Sequence, residues 1–145
     1  MKALLQRVSK ASVSIDGRTV SSIERGLLVF LGVAPDDGSE QIDWLVDKIL
    51  GLRVFPDDDS AMNRSVVDVA GVVLVVSQFT LAADTSRGRR PGFSTAAPPE
   101  IAEPLYEAFL ERMRAGHSPV ESGSFGADMQ VALVNDGPVT FLLER

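Results

Sequence analysis

The chain contains no cysteine and a single histidine, His117, among its 145 residues. The missing cysteines exclude a disulfide framework, a thiolate nucleophile, an iron–sulfur cluster and a cysteine-ligated zinc. One imidazole excludes a histidine-rich metal site, and no carboxylate stands at a spacing that makes a Ser-His-Asp triad with His117. Neither a metal nor a cofactor is therefore expected. Long apolar runs are also missing. The longest near-continuous one, Leu27 to Ala34, falls far short of the roughly 20 residues that span a bilayer. The opening residues Met1 to Arg7 hold too short an apolar run for a signal peptide. A cytoplasmic location without membrane contact is the expectation.

What is present is ordinary for a folded domain: 45% of residues are hydrophobic and 23% charged, which excludes wholesale disorder. The length suits one domain over residues 1–145. The formal net charge is −6, which argues globally against nucleic acid and against DNA in particular. The acid is local, however. Residues 36–60 carry eight acidic against two basic groups, whereas residues 61–95 carry four basic against two acidic. A basic surface facing RNA remains open.

Ala11, Val13 and Ile15 alternate along Ser9 to Ile15 and predict a strand, with Asp16-Gly17 as a hairpin turn. Strands follow around Thr19–Ile23 and Leu27–Val33, the second apolar on both faces. Asp37 as a cap with Glu40 three residues on predicts a helix start. Ile42, Leu45, Val46, Ile49 and Leu50 then form its apolar stripe. The run of branched residues Val72–Val76 predicts a central strand. Ile101, Leu105, Phe109 and Met113 predict a second helix over about Ile101–Ala115, with Pro104 in its first turn. Met129–Val134 and Val139–Leu143 predict two last strands joined by Asn135-Asp136-Gly137-Pro138. Too few helices follow strands for a doubly wound sheet. The expected fold is α/β, a compact barrel-like domain of layered mixed sheets covered by two helices.

Four segments carry chemistry. Ser77-Gln78-Phe79-Thr80 directly follows the predicted central strand, where α/β proteins place reactive groups. Read alone, it is either a polar site for a carbonyl or a simple strand end. Asn135-Asp136-Gly137-Pro138 is either a hairpin turn or an unusual main-chain device, since a Gly-Pro bond reaches the cis form at a cost of only about 0.5–1 kcal/mol. Arg87, Arg89 and Arg90 in a polar loop suit phosphate, or simply solvent. Asp57-Asp58-Asp59 lacks the ligand spacing of a calcium loop and reads as a solvated turn.

With Gln6-Arg7-Val8, Met62-Asn63, Ser65-Val66, Gly88-Arg89-Arg90-Pro91, Ala97-Pro98-Pro99 and the run Gly123 to Met129, these segments resemble the D-aminoacyl-tRNA deacylase family, of the bacterial and eukaryotic type, end to end. Ser77-Gln78-Phe79-Thr80-Leu81 and Asn135-Asp136-Gly137-Pro138-Val139-Thr140 are the most specific matches. Ala82 and Gly92 depart from the common pattern and bear on pocket shape or loop mobility. The resemblance implies hydrolysis of the ester joining a D-amino acid, or glycine, to the 3′ end of tRNA by a homodimer. It implies that Ser77, Gln78, Phe79 and Thr80 form the reactive site. Phe125 and Met129 would line the pocket. Gly137-Pro138, in the cis form, would cross into the partner's pocket to exclude L side chains, held by Arg7. The arginines at 87, 89 and 90 would meet the tRNA. A covalent role for Thr80, a non-catalytic RNA-binding module and a small-molecule esterase are the competing readings.

Overall fold

A computed structural model describes residues 1–145. The chain is built around β1 (Lys2–Ile15), which pairs along both edges. On one edge its first half is antiparallel to β3 (Gly26–Gly32) and its second half to β2 (Arg18–Ile23). The turn into β2 places Asp16 at φ 50° and Gly17 at φ 74°, the pair of left-handed residues that a tight hairpin needs. The other edge of β1 carries β6 (Gln130–Glu144). β4 (Val72–Ser77) lies parallel to β3, and β5 (Val120–Ser122) parallel to β4. β2 comes close to both β4 and β5, so the mixed sheet curls toward a barrel.

Two cores result, one on each side of the sheet. Leu27, Val29, Leu31, Val73 and Val75 face the helices α1 (Ser39–Gly51) and α2 (Pro99–Gly116). Leu28, Leu74 and Val76 pack with Val8, Ala11, Val13 and Ile23 on the inner face of the curl. This explains why β3 and β4 are apolar at consecutive positions. Close approach matters where they begin: a Cβ at Gly26 would sit 1.8 Å from the Val72 carbonyl oxygen.

Four sequence expectations are corrected. First, α1 is not capped by Asp37. Its N-cap is Gly38, whose N–H donates to the Gln41 side chain at 3.0 Å, while the Asp37 carboxylate accepts the Ala34 N–H at 2.6 Å and pairs with the amino group of Met1. Second, α2 begins at Pro99, so Pro104 lies in its second turn, where the missing N–H leaves the Glu100 carbonyl without its helical donor. Third, the buried face of α2 is Ala102, Tyr106, Phe109, Leu110 and Met113, whereas Ile101 is exposed. A strict i+4 row drifts about 40° per step around an α-helix and leaves the core face.

The fourth correction concerns β6. Gln130–Asn135 and Thr140–Glu144 are not two strands of a hairpin. Both run antiparallel to β1, with Asn135 opposite Val8 and Thr140 opposite Gln6. Asp136-Gly137-Pro138-Val139 is therefore a bulge within one strand, set opposite Arg7. The short strand β5 lies outside the strands that the sequence predicts, because its three residues carry no periodic signal.

Candidate active site

β4 ends in a break of direction. Gln78 N–H still donates to the Leu31 carbonyl at 2.7 Å, and the chain then turns into a single 3₁₀ turn, Phe79–Ala82. The N–H groups of Phe79 and Thr80 open that turn and have no acceptor within the chain, as the first donors of a helical turn generally lack one. The Gln78 side-chain amide donates to Thr80 Oγ1 at 2.5 Å. Phe79 points outward, 56% exposed.

Beside this turn lies a cavity of about 650 Å³, mostly apolar in its walls. Ser77, Gln78 and Phe79 form one wall, and Phe125 and Met129 another. Five residues singled out in the sequence thus meet in one place, and Thr80 joins them through its bond to Gln78. The segment between β5 and β6 supplies the second wall, and Gly123 sets its path. Its N–H donates to the Val75 carbonyl at 2.9 Å, and a Cβ there would meet Met129 Sδ at 2.6 Å.

Tyr106 and Phe93 also line the cavity, beyond the residues that the sequence singles out. Tyr106, the chain's one tyrosine, reaches from α2 to donate to the Val75 carbonyl at 3.1 Å and packs on the Phe125 ring at a centroid distance of 5.8 Å. Burial, with Glu107 adding to it, pushes its phenol above its ordinary range, so the hydroxyl stays a neutral donor. Phe93 stands at the cavity mouth, its ring 5.0 Å from that of Phe79. A helix position amid apolar neighbours was the only sequence signal for Tyr106. For Phe93 there was none.

The other singled-out residues lie elsewhere. Gly137 and Pro138 sit exposed on the β6 bulge and do not line the cavity of their own chain. The Gly137–Pro138 peptide bond is cis, as is Ser118–Pro119. The Asn135 side-chain amide clasps the base of the bulge, donating to the Arg7 carbonyl at 3.0 Å and the Val139 carbonyl at 3.1 Å. The Arg7 side chain is buried and donates to the Val54 carbonyl, and its Nε lies 2.8 Å from Asp136 Oδ2. That last contact is an ion pair and not a directed hydrogen bond. Arg7 and the bulge are thus brought together, apart from the cavity.

Arg87, Arg89 and Arg90 occupy an exposed loop closed by two 2.8 Å backbone bonds between Asp84 and Gly92. None of the three makes an ion pair with the rest of the chain. Asp57 accepts from Asn63 and from the backbone of Asp59 and Ser60, which holds its carboxyl below the usual range; it is a turn residue. His117 takes up the Gly71 carbonyl at 2.7 Å and does not line the cavity.

A family model described as D-Tyr-tRNA(Tyr) deacylase matches residues 4–144. The chain belongs to that family. The D-aminoacyl-tRNA deacylase of Geotalea uraniireducens (strain Rf4) is 56% identical over 144 residues, 99% of this chain and 93% of that protein. The solved structure of the c-Myc DNA unwinding element binding protein superposes with a TM-score of 0.95 at 44% identity, covering 100% of this chain and 99% of that one. A probable eukaryotic D-amino acid tRNA deacylase shares the deacylase fold at a TM-score of 0.81 and 19% identity, with 98% and 97% of the two chains covered. The likeness to deacylases extends from end to end, so the cavity and the bulge both fall inside it.

Proposed function

We propose that this protein is a D-aminoacyl-tRNA deacylase, hydrolysing the ester between a D-amino acid, or glycine, and the terminal adenosine of tRNA. The observation that carries this reading is the cavity beside two unpartnered backbone N–H groups, Phe79 and Thr80, in a chain of this family. The ester carbonyl oxygen faces those two donors. Such a donor typically contributes about 2.7–4 kcal/mol of transition-state stabilisation. Water attacks the carbonyl carbon, the bond to the ribose 3′-oxygen breaks, and the departing oxygen takes a proton. The neighbouring 2′-hydroxyl of the RNA relays it, since the chain brings no general base to the turn. The Thr80 hydroxyl is bonded to an amide, not to a base, which favours a shaping role over a covalent one.

Chiral selection is assigned to Gly137-Pro138 of a second copy. The bulge is exposed and does not line the cavity of its own chain. β6 is unpaired along its outer edge and exposes Val134, Phe141 and Leu142, a surface suited to a homodimer. Main-chain carbonyls of the inserted bulge leave no space for an L side chain, while glycine, having none, passes. Arg87, Arg89 and Arg90 meet the tRNA phosphates. No helix is long and apolar enough to cross a membrane, and the cytoplasm is where such a substrate resides.

Deacylation of matched D-tyrosyl-, L-tyrosyl- and glycyl-tRNA tests the assignment. Rapid loss of the D and glycyl esters with the L ester intact is expected. Salt-sensitive binding without turnover would instead make the protein an RNA-binding module.

A further inference from the structure

The reactive turn does not explain why two phenylalanines stand exposed at the cavity mouth. Phe79 and Phe93 are 56% and 43% exposed and contact one another at 5.0 Å with a 59° tilt. They come from separate segments, yet their relative position is fixed. Phe93 follows Gly92, which closes the arginine loop through its paired bonds with Asp84. Just beyond, Thr95 Oγ1 donates to the Ala82 carbonyl and Ala97 N–H to the Val33 carbonyl at 2.9 Å. Both rings line the cavity, and Phe93 adjoins in sequence a loop with three unpaired guanidinium groups, in a protein whose net charge is −6. Aromatic faces beside a local positive charge are how proteins hold unpaired nucleotides: rings stack on bases while the cations meet phosphates.

We propose that Phe79 and Phe93 form a shelf on which the unpaired base adjoining the terminal adenosine of tRNA stacks. The inference rests on the deacylase reading, in which the cavity holds the aminoacyl end; the next nucleotide must then leave across this rim toward the arginine loop. Phe93 becomes a residue for positioning RNA, independent of the ester chemistry.

The test measures kcat and KM for D-tyrosyl-tRNA with the wild-type protein, Phe93→Ala and Phe93→Trp. Each is assayed on intact tRNA and on tRNA made abasic at the nucleotide before the terminal adenosine. On intact tRNA, Phe93→Ala should lose about fivefold or more in kcat/KM, mainly through KM, and Phe93→Trp should restore it. The abasic substrate should cost the wild type a similar factor, with Phe93→Ala then adding less than about twofold. Equal losses for Phe93→Ala on both substrates, or none on either, would overturn the shelf while leaving the deacylase intact. A wild-type protein inert toward intact D-tyrosyl-tRNA would overturn the deacylase reading and the shelf with it.

Discussion

β4 and β6 flank opposite parts of the same sheet and are built on contrary principles. β4 is short, lies between two parallel neighbours and buries four consecutive residues, Val73 to Val76, on two cores. β6 spans 15 residues, pairs along one edge only, and buries a single residue, Val139. The strand that leads into Ser77–Thr80 is thus finished by its own chain. The strand that carries Gly137 and Pro138 is left open along one edge, and its bulge is held by the Asn135 side chain and by the Arg7–Asp136 ion pair. On the proposed function, chemistry falls on the completed side and selection on the side left open.

The contrast breaks first on stability. Leu74→Ala, in the doubly buried strand, should cost about 2–5 kcal/mol in denaturant unfolding. Leu142→Ala on β6, at a position 56% exposed, should cost less than about 0.5 kcal/mol in dilute protein. Comparable losses at both would mean that β6 is as integral to the monomer as β4.

Activity should reverse the ranking. A Cβ at Gly137 would meet only Asn135 Oδ1, at 3.6 Å, within its own chain. Gly137→Ala should therefore fold normally, yet lose about a hundredfold in kcat/KM on D-tyrosyl-tRNA by misplacing the bulge in the partner's cavity. Unaltered turnover would remove the bulge from the site.

Smaller effects sharpen the β4 side. Tyr106→Phe deletes one of the two donors to the Val75 carbonyl but leaves the Gly123 N–H in place. The loss should be about 1 kcal/mol by chemical denaturation. The least effect belongs to Asp68, in the turn ahead of β4. Its carboxylate accepts the backbone N–H and the hydroxyl of Ser65, each at 2.8 Å, which lowers its pKa from the usual 3.8. A lowered folded value means stability gained above pH 3.8 and lost as the pH falls through that folded value. Asp68→Asn should accordingly lower the denaturation midpoint at neutral pH and lose its effect in strong acid. A penalty that persists in strong acid would show that the carboxylate's charge is irrelevant.

Much of β4's side could be read from sequence because its signals are local. Consecutive branched residues announce a strand buried on both faces, and the stripe from Ile42 to Ile49 announces the helix above it. The motif residues Ser77 to Phe79, Phe125 and Met129 do line one cavity. β6 resisted for a physical reason. Asn-Asp-Gly-Pro has the chemistry of a reversing turn, and only pairing with β1, more than a hundred residues away, shows that the chain continues in one direction. Tyr106 and Phe93 likewise acquire their positions through tertiary contacts, on a helix face rotated away from the simple i+4 row and on a closed loop without periodicity.

The central claim, that one copy's cavity is completed by another copy's bulge, is tested most directly by mixing subunits. Phe79→Pro removes one free N–H at the first position of a 3₁₀ turn, which proline tolerates, and Gly137→Ala disables the bulge. Each variant alone should deacylate D-tyrosyl-tRNA poorly. Unfolded and refolded together in equal amounts, they form mixed dimers in which one of the two sites joins an intact cavity to an intact bulge. Recovery to about a quarter of wild-type activity is then expected from random pairing. Mixtures no more active than the separate variants, despite confirmed mixed dimers, would contradict the account.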